Sequence, residues 1–144
     1  MRFHFWYTAL SLFFAALATW AYVWLDSRGL LIPWVPIGDF ILMALAVMRL
    51  VRLFTYDVIT EFIRNWFVGA APHSLRASLG ELINCPWCLG LWWALVVGFF
   101  YFATPIAWYG ILVLALASIA SFLQVLANLI GWSAELKKRE AQSR

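Results

Sequence analysis

Apolar residues in this chain fall in long runs instead of alternating with polar ones, and those runs set the expected architecture. Residues 3–25 form a long, predominantly apolar run with no charged residue, interrupted by His4. At about 1.5 Å per residue they can cross a hydrocarbon core of about 30 Å, so they predict a first transmembrane helix. Arg2 ahead of the run and the small residues Ala16 and Ala18 also fit a signal peptide. The run continues through Trp20, Val23 and Trp24, which favours a full span. Asp26 to Gly29 interrupt it, and Pro33 and Pro36 keep residues 30–36 out of regular helix, leaving a short connection around Trp34.

A second helix is predicted over residues 37–55. Its uncharged stretch is short, because Arg49 and Arg52 fall inside it. It crosses only if those arginines lie near its inner end or are paired. Residues 57–68 place Val58, Ile59, Phe62, Ile63, Trp66 and Phe67 on one face and Asp57, Thr60, Glu61, Arg64 and Asn65 on the other. That spacing predicts an amphipathic helix lying along the membrane surface or on a partner, continuous with the second span or joined to it at a bend. Residues 69–84 form the longest polar interval, with room for a helical turn or two. Pro86 opens a third span to about residue 104, Pro105 turns the chain, and a fourth span covers residues 106–132 ahead of a charged tail, 133–144, expected to be helical at first.

The expected fold class is therefore an all-α integral membrane protein, with four transmembrane helices, an amphipathic interfacial helix and no separate soluble domain. Composition agrees: 65% of the residues are hydrophobic and only 12% charged, far from the globular norm. Four spans put both termini on one side, and every basic residue except Arg28 falls on that side. The positive-inside rule then makes both termini cytoplasmic, in a bacterial inner membrane. Trp6, Trp87 and Trp132 would lie near the inner boundary, and Trp24, Trp34 and Trp108 near the outer. The net charge of +3 is explained by lipid-facing basic residues and calls for no nucleic acid.

The two cysteines of the chain, Cys85 and Cys88, form a Cys-Pro-Trp-Cys sequence at the start of the third span. Asn84 is a plausible cap and Pro86 an early helical residue, so the thiols would face unpaired backbone N–H groups, which favour thiolate. Such a pair serves thioredoxin-type exchange or half of a four-thiolate metal site. A cytosolic pair is normally reduced, and no second pair exists to relay electrons onward. Zinc would need ligands beyond Cys85, Cys88 and His73, for example from a second chain. The plainer reading is a packed helix-start motif with no cofactor. Arg49 and Arg52 could pair with Asp57, Glu61 or Glu81, or snorkel to headgroups. On the fourth helix, Ser121, Gln124 and Asn128 share a face with Ala117, a stripe suited to helix contacts.

Arg49-Leu-Val-Arg-Leu53 followed by Asp57, and later Cys85-Pro-Trp-Cys-Leu-Gly-Leu-Trp92, together resemble a family of small bacterial and phage membrane proteins of unknown function. The resemblance covers residues 45–100 and implies a membrane location, but no activity. It marks Arg49, Arg52, Asp57, Cys85, Pro86, Trp87 and Cys88 as positions that work together near the inner face, with an Arg52 to Asp57 contact bracing the bent second helix against the third. The expected function is a non-catalytic accessory or assembly subunit. It would bind lipid and other membrane subunits, or itself, through surfaces that include Trp66 and Phe67. A thiol-disulfide oxidoreductase using Cys85 and Cys88, and a holin-like pore former, are the alternatives.

Overall fold

The computed structural model describes residues 3–71 and 74–142, all in helices and connecting turns. In chain order the helices are α1 (Phe3–Ser27), α2 (Ile37–Thr55), α3 (Glu61–Phe67, entered through a 3-10 turn at Val58–Thr60), α4 (Leu75–Asn84), α5 (Pro86–Ala103) and α6 (Ala107–Gln142). Three of them, α1, α5 and α6, are long and apolar enough to cross a membrane. Helix α1 stops where Gly29 takes a left-handed φ of 64° and the Leu30 N–H reaches back to Leu25 O at 3.0 Å. A side chain at that position would be strained, so glycine ends the helix.

Contacts between helices give their directions. Tyr7 meets Glu81, Phe14 meets Trp92 and Trp20 meets Phe99, so α1 runs parallel to α5. Asp39 at the start of α2 meets Tyr101 at the end of α5, while the Thr55 hydroxyl donates to Ile83 O just before α5 begins. Hence α2 runs antiparallel to α5 along its full length, and the Asp39 contact with Trp108 makes it parallel to α6. With 19 residues, α2 is about 28 Å long, comparable to the 18-residue α5.

The core sits where α2, α5 and α6 meet. Ala46, Val97 and Ile111 are buried together, with Leu42, Met43, Leu50 and Leu114 packed around them. Ala46 and Ala115 are fully buried. Small side chains there let α2 and α6 approach closely, as in helix pairs packed in lipid, where van der Waals contact outweighs hydrophobic transfer. Large apolar residues such as Leu12, Val113 and Phe122 point outward.

Residues 58–67 are helical, a 3-10 turn running into the seven-residue α3, and Asp57, extended at φ −74° and ψ 144°, makes the bend after α2. Two expectations are corrected. The polar interval is more helical than expected. Ser74 caps α4 by accepting the Ala77 N–H at 3.1 Å, and ten residues of helix follow. Asn84 does not cap α5 but ends α4, its side-chain amide donating to Gly80 O at 2.9 Å. The fourth helix continues into the charged tail. It runs through to Gln142, the Ser133 hydroxyl bonding Leu129 O and Glu135 pairing with Arg139 one turn on.

Candidate functional site

Most of the singled-out residues gather at the end of the bundle where α2 ends and α5 begins. Cys85 is extended, with φ −99° and ψ 103°, and serves as the N-cap of α5, its sulfur accepting the Cys88 N–H at 3.3 Å. Pro86 follows at the first helical position, where its missing N–H costs nothing. The helical spacing then places the two sulfurs 2.6 Å apart, both cysteines free. The Cys85 thiol titrates below its ordinary range, chiefly because of the thiol hydrogen bond it shares with Cys88 and next because of the Cys88 N–H. Trp87 projects away from the protein, 89% exposed.

Beside the sulfurs, a groove of about 430 Å³ opens between α1, α4 and α5. Its polar positions are Tyr7, Ser11 and Glu81, and the rest of its wall is apolar, with Phe14 and Trp92 among the lining residues. The Tyr7 hydroxyl donates to Glu81, tying α1 to α4 at its mouth. A thiolate-leaning cysteine, a neighbouring thiol and an open groove can support nucleophilic attack on a disulfide or electrophile.

A second cluster braces the turn after α2. Arg49 pairs with Asp57 at 3.0 Å. The expected Arg52 to Asp57 contact is not formed: Arg52 is exposed, and its backbone carbonyl instead accepts the N–H groups of Tyr56 and Asp57. One turn separates the two arginines on α2, and only Arg49 faces the returning chain. Arg64, which the periodicity assigned to the polar outer face, turns inward and is the hub of the turn. Its guanidinium donates to Phe54 O at 3.0 Å, Asp57 O at 2.9 Å and the Thr60 hydroxyl at 3.0 Å. Thr60 is buried and donates to Leu53 O.

The outer side of this turn is apolar. Val58, Ile59, Phe62 and Trp66 are exposed, but Phe67, expected on the same surface, is not. It packs against Gly80 of α4, where an added Cβ would lie 3.0 Å from the Phe67 Cβ. Glycine allows that close approach.

Other predicted residues lie elsewhere. Ser121 donates to Ala117 O, and Gln124 to Asn128, so these hydrogen bonds are made within α6, where Gln124 and Asn128 are exposed. His73 lies outside the described residues. Among the described residues no group of three or more His, Cys, Asp or Glu side chains comes together to hold a metal ion. Sequence reasoning missed Asp39, which receives hydrogen bonds from Tyr101 and Trp108 at the opposite end of the bundle. It also missed Arg64 as a hub. The signal for Asp39 was available: it is the one acid of α2, in its first turn and ahead of nine uncharged residues.

Fold and site together define an all-helical protein with membrane-spanning character and a dithiol turn at one end of its bundle. The chain belongs to the family described as protein of unknown function (DUF1360), whose pattern matches residues 68–127. It is similar to the UPF0713 protein YngL of Bacillus subtilis (strain 168), 39% identical over 97 residues, which are 59% of this chain and 75% of that protein. It is also similar to the sporulation protein YjcA of the same organism, 31% identical over 108 residues, 61% of this chain and 89% of the relative. No solved structure matches it.

Proposed function

We propose that this is a four-span bacterial membrane protein, both termini cytoplasmic, acting as an accessory or assembly subunit. The face formed by α3, α4 and the Cys-Pro-Trp-Cys turn would bind other membrane subunits. The observation that carries the reading is the inverted polarity of the turn after α2. Arg64 and Thr60 point inward, while Val58, Ile59, Phe62, Trp66 and Trp87 point out. A helix that turns Arg64 and Thr60 onto its own backbone while Phe62 and Trp66 stay exposed, beside the polar Glu61 and Asn65, is suited to meet a largely apolar surface. The fourth span is supported by α2 lying beside α5 over its whole length. Of its arginines, Arg49 is paired with Asp57 and Arg52 sits in the last turn.

Exposed tryptophans are the usual energetic centres of such surfaces. A Trp66→Ala, Trp87→Ala double variant is expected to lower recovery of crosslinked membrane partners about tenfold or more, with membrane insertion and helix content unchanged. Equal recovery would sink the reading.

The thiol pair favours a second reading, dithiol exchange with a partner disulfide. Cys85 thiolate would attack one partner sulfur and expel the other as thiolate. Cys88 would then displace the first, leaving a Cys85–Cys88 disulfide and two reduced partner thiols. Removing Cys88 should both trap the mixed disulfide on Cys85 and delete the hydrogen bond that lowers the Cys85 pKa. In Cys88→Ala the pH midpoint for Cys85 alkylation is therefore expected to rise toward the free-thiol value of about 8.5. No adduct under mild oxidation would rule exchange out.

A further inference from the structure

At the end of the bundle opposite the cysteines, three helices converge on one carboxylate. Asp39 lies in the first turn of α2 and accepts hydrogen bonds from the Tyr101 hydroxyl of α5 at 2.7 Å and the Trp108 indole of α6 at 3.3 Å. A cavity of about 430 Å³ opens against it, walled by Leu30, Ile32, Tyr101, Trp108 and Tyr109 among others. Neither side-chain ion pair among the described residues involves Asp39. Arg28, the basic residue the chain brings to this end, instead lies over the Trp24 ring at 4.7 Å.

A carboxylate offers about four lone-pair directions, and two neutral donors leave acceptor capacity free. At a membrane boundary an anion without a cationic counterpart is costly, so the site favours a positive group. The walls select its kind. Calcium or magnesium needs about six or more oxygen ligands, whereas the cavity offers one carboxylate among apolar and aromatic side chains. Indole and phenol faces attract organic cations, and Leu30 and Ile32 suit the carbon chain attached to one.

We propose that Asp39, Tyr101, Trp108 and Tyr109 form a binding site for a primary ammonium group carried on an apolar body. An aminophospholipid headgroup and a free alkylamine share this chemistry. On the four-span reading the site faces the outer leaflet, but the binding chemistry is the same on either side.

The test is native mass spectrometry of the intact protein in detergent, titrated with dioleoylphosphatidylethanolamine, dioleoylphosphatidylglycerol or dodecylamine. The ammonium-bearing probes should bind about tenfold more tightly than the phosphatidylglycerol. Asp39→Asn, nearly the same shape without the charge, should erase that preference. Tyr101→Phe should keep it, because the carboxylate stays; a purely structural Asp39 would make those two variants behave alike. Trp108→Leu should weaken it, which provides a second reading should Asp39→Asn fail to fold. Phosphatidylethanolamine outcompeting dodecylamine would assign the lipid, and the reverse the free amine. No preference in the unmodified protein, or a preference that survives Asp39→Asn, would overturn the site.

Discussion

Arg64→Ala is expected to destabilise the protein by about 3 kcal/mol and to open the chain between α2 and α3. Hydrogen bonds from a charged donor are worth about 1.5–3 kcal/mol each, and deleting the donor leaves carbonyls at a helix end without partners. Three acceptors converge on this guanidinium, two of them backbone carbonyls flanking the break after α2. Partial exposure of the group reduces the total below the simple sum. Arg64→Lys should recover only part of the loss, because its single nitrogen lacks the planar fork with which two guanidinium nitrogens reach Phe54 O and Asp57 O. Proteolytic cleavage within residues 55–61, followed with the unfolding midpoint in detergent, reads both effects. Unchanged protection in Arg64→Ala would show that the turn is held by other contacts.

Arg49→Ala is expected to cost about 2 kcal/mol, and the same substitution to cost much less when Asp57 is already alanine. The pair is 3.0 Å apart with side chains 23% and 29% exposed, between a fully buried ion pair and a solvated one. Breaking a buried pair by removing one partner costs about 3–5 kcal/mol, while exposed pairs contribute about 0–1, so an intermediate value follows. The double-mutant cycle isolates the interaction, with an expected coupling of about 1–2 kcal/mol. Additive single effects would mean that Arg49 acts through headgroups and not through Asp57. The same cycle between Arg52 and Asp57 should show no coupling, since Arg52 is exposed and its side chain does not reach the carboxylate.

The long helices were legible because their signals are local. Apolar length, the prolines at 33, 36, 86 and 105 and the glycine at 29 fix α1, α2 and α5 within a residue or two. The Cys85 and Cys88 pairing was equally local, a matter of helical spacing alone. The break at Tyr56–Asp57 carries no such mark. Nothing between Phe40 and Val68 is a glycine or proline, and the turn is held by a side chain ten residues away bonding Phe54 O. Backbone carbonyls have no sequence signature, so Arg64 could be placed on a face by periodicity but not assigned its partners. Phe67 was misplaced for a related reason. Its partial burial comes from the close approach of Gly80, and helical periodicity cannot say which neighbour will come close. Asp39 needed three helices brought together before its role could be seen.

If α2 crosses the membrane, the loop after α1 and the segment before α4 lie on opposite sides, and this crossing is what makes the number of spans four. Single cysteines introduced as Ser27→Cys and Ser74→Cys, in a chain carrying Cys85→Ser and Cys88→Ser, report the two loops that α2 separates. An impermeant maleimide applied to intact cells should label the Ser27→Cys variant directly and the Ser74→Cys variant only after the membrane is opened. Labelling of both positions from the same side would mean that α2 does not cross, and the four-span account would fail.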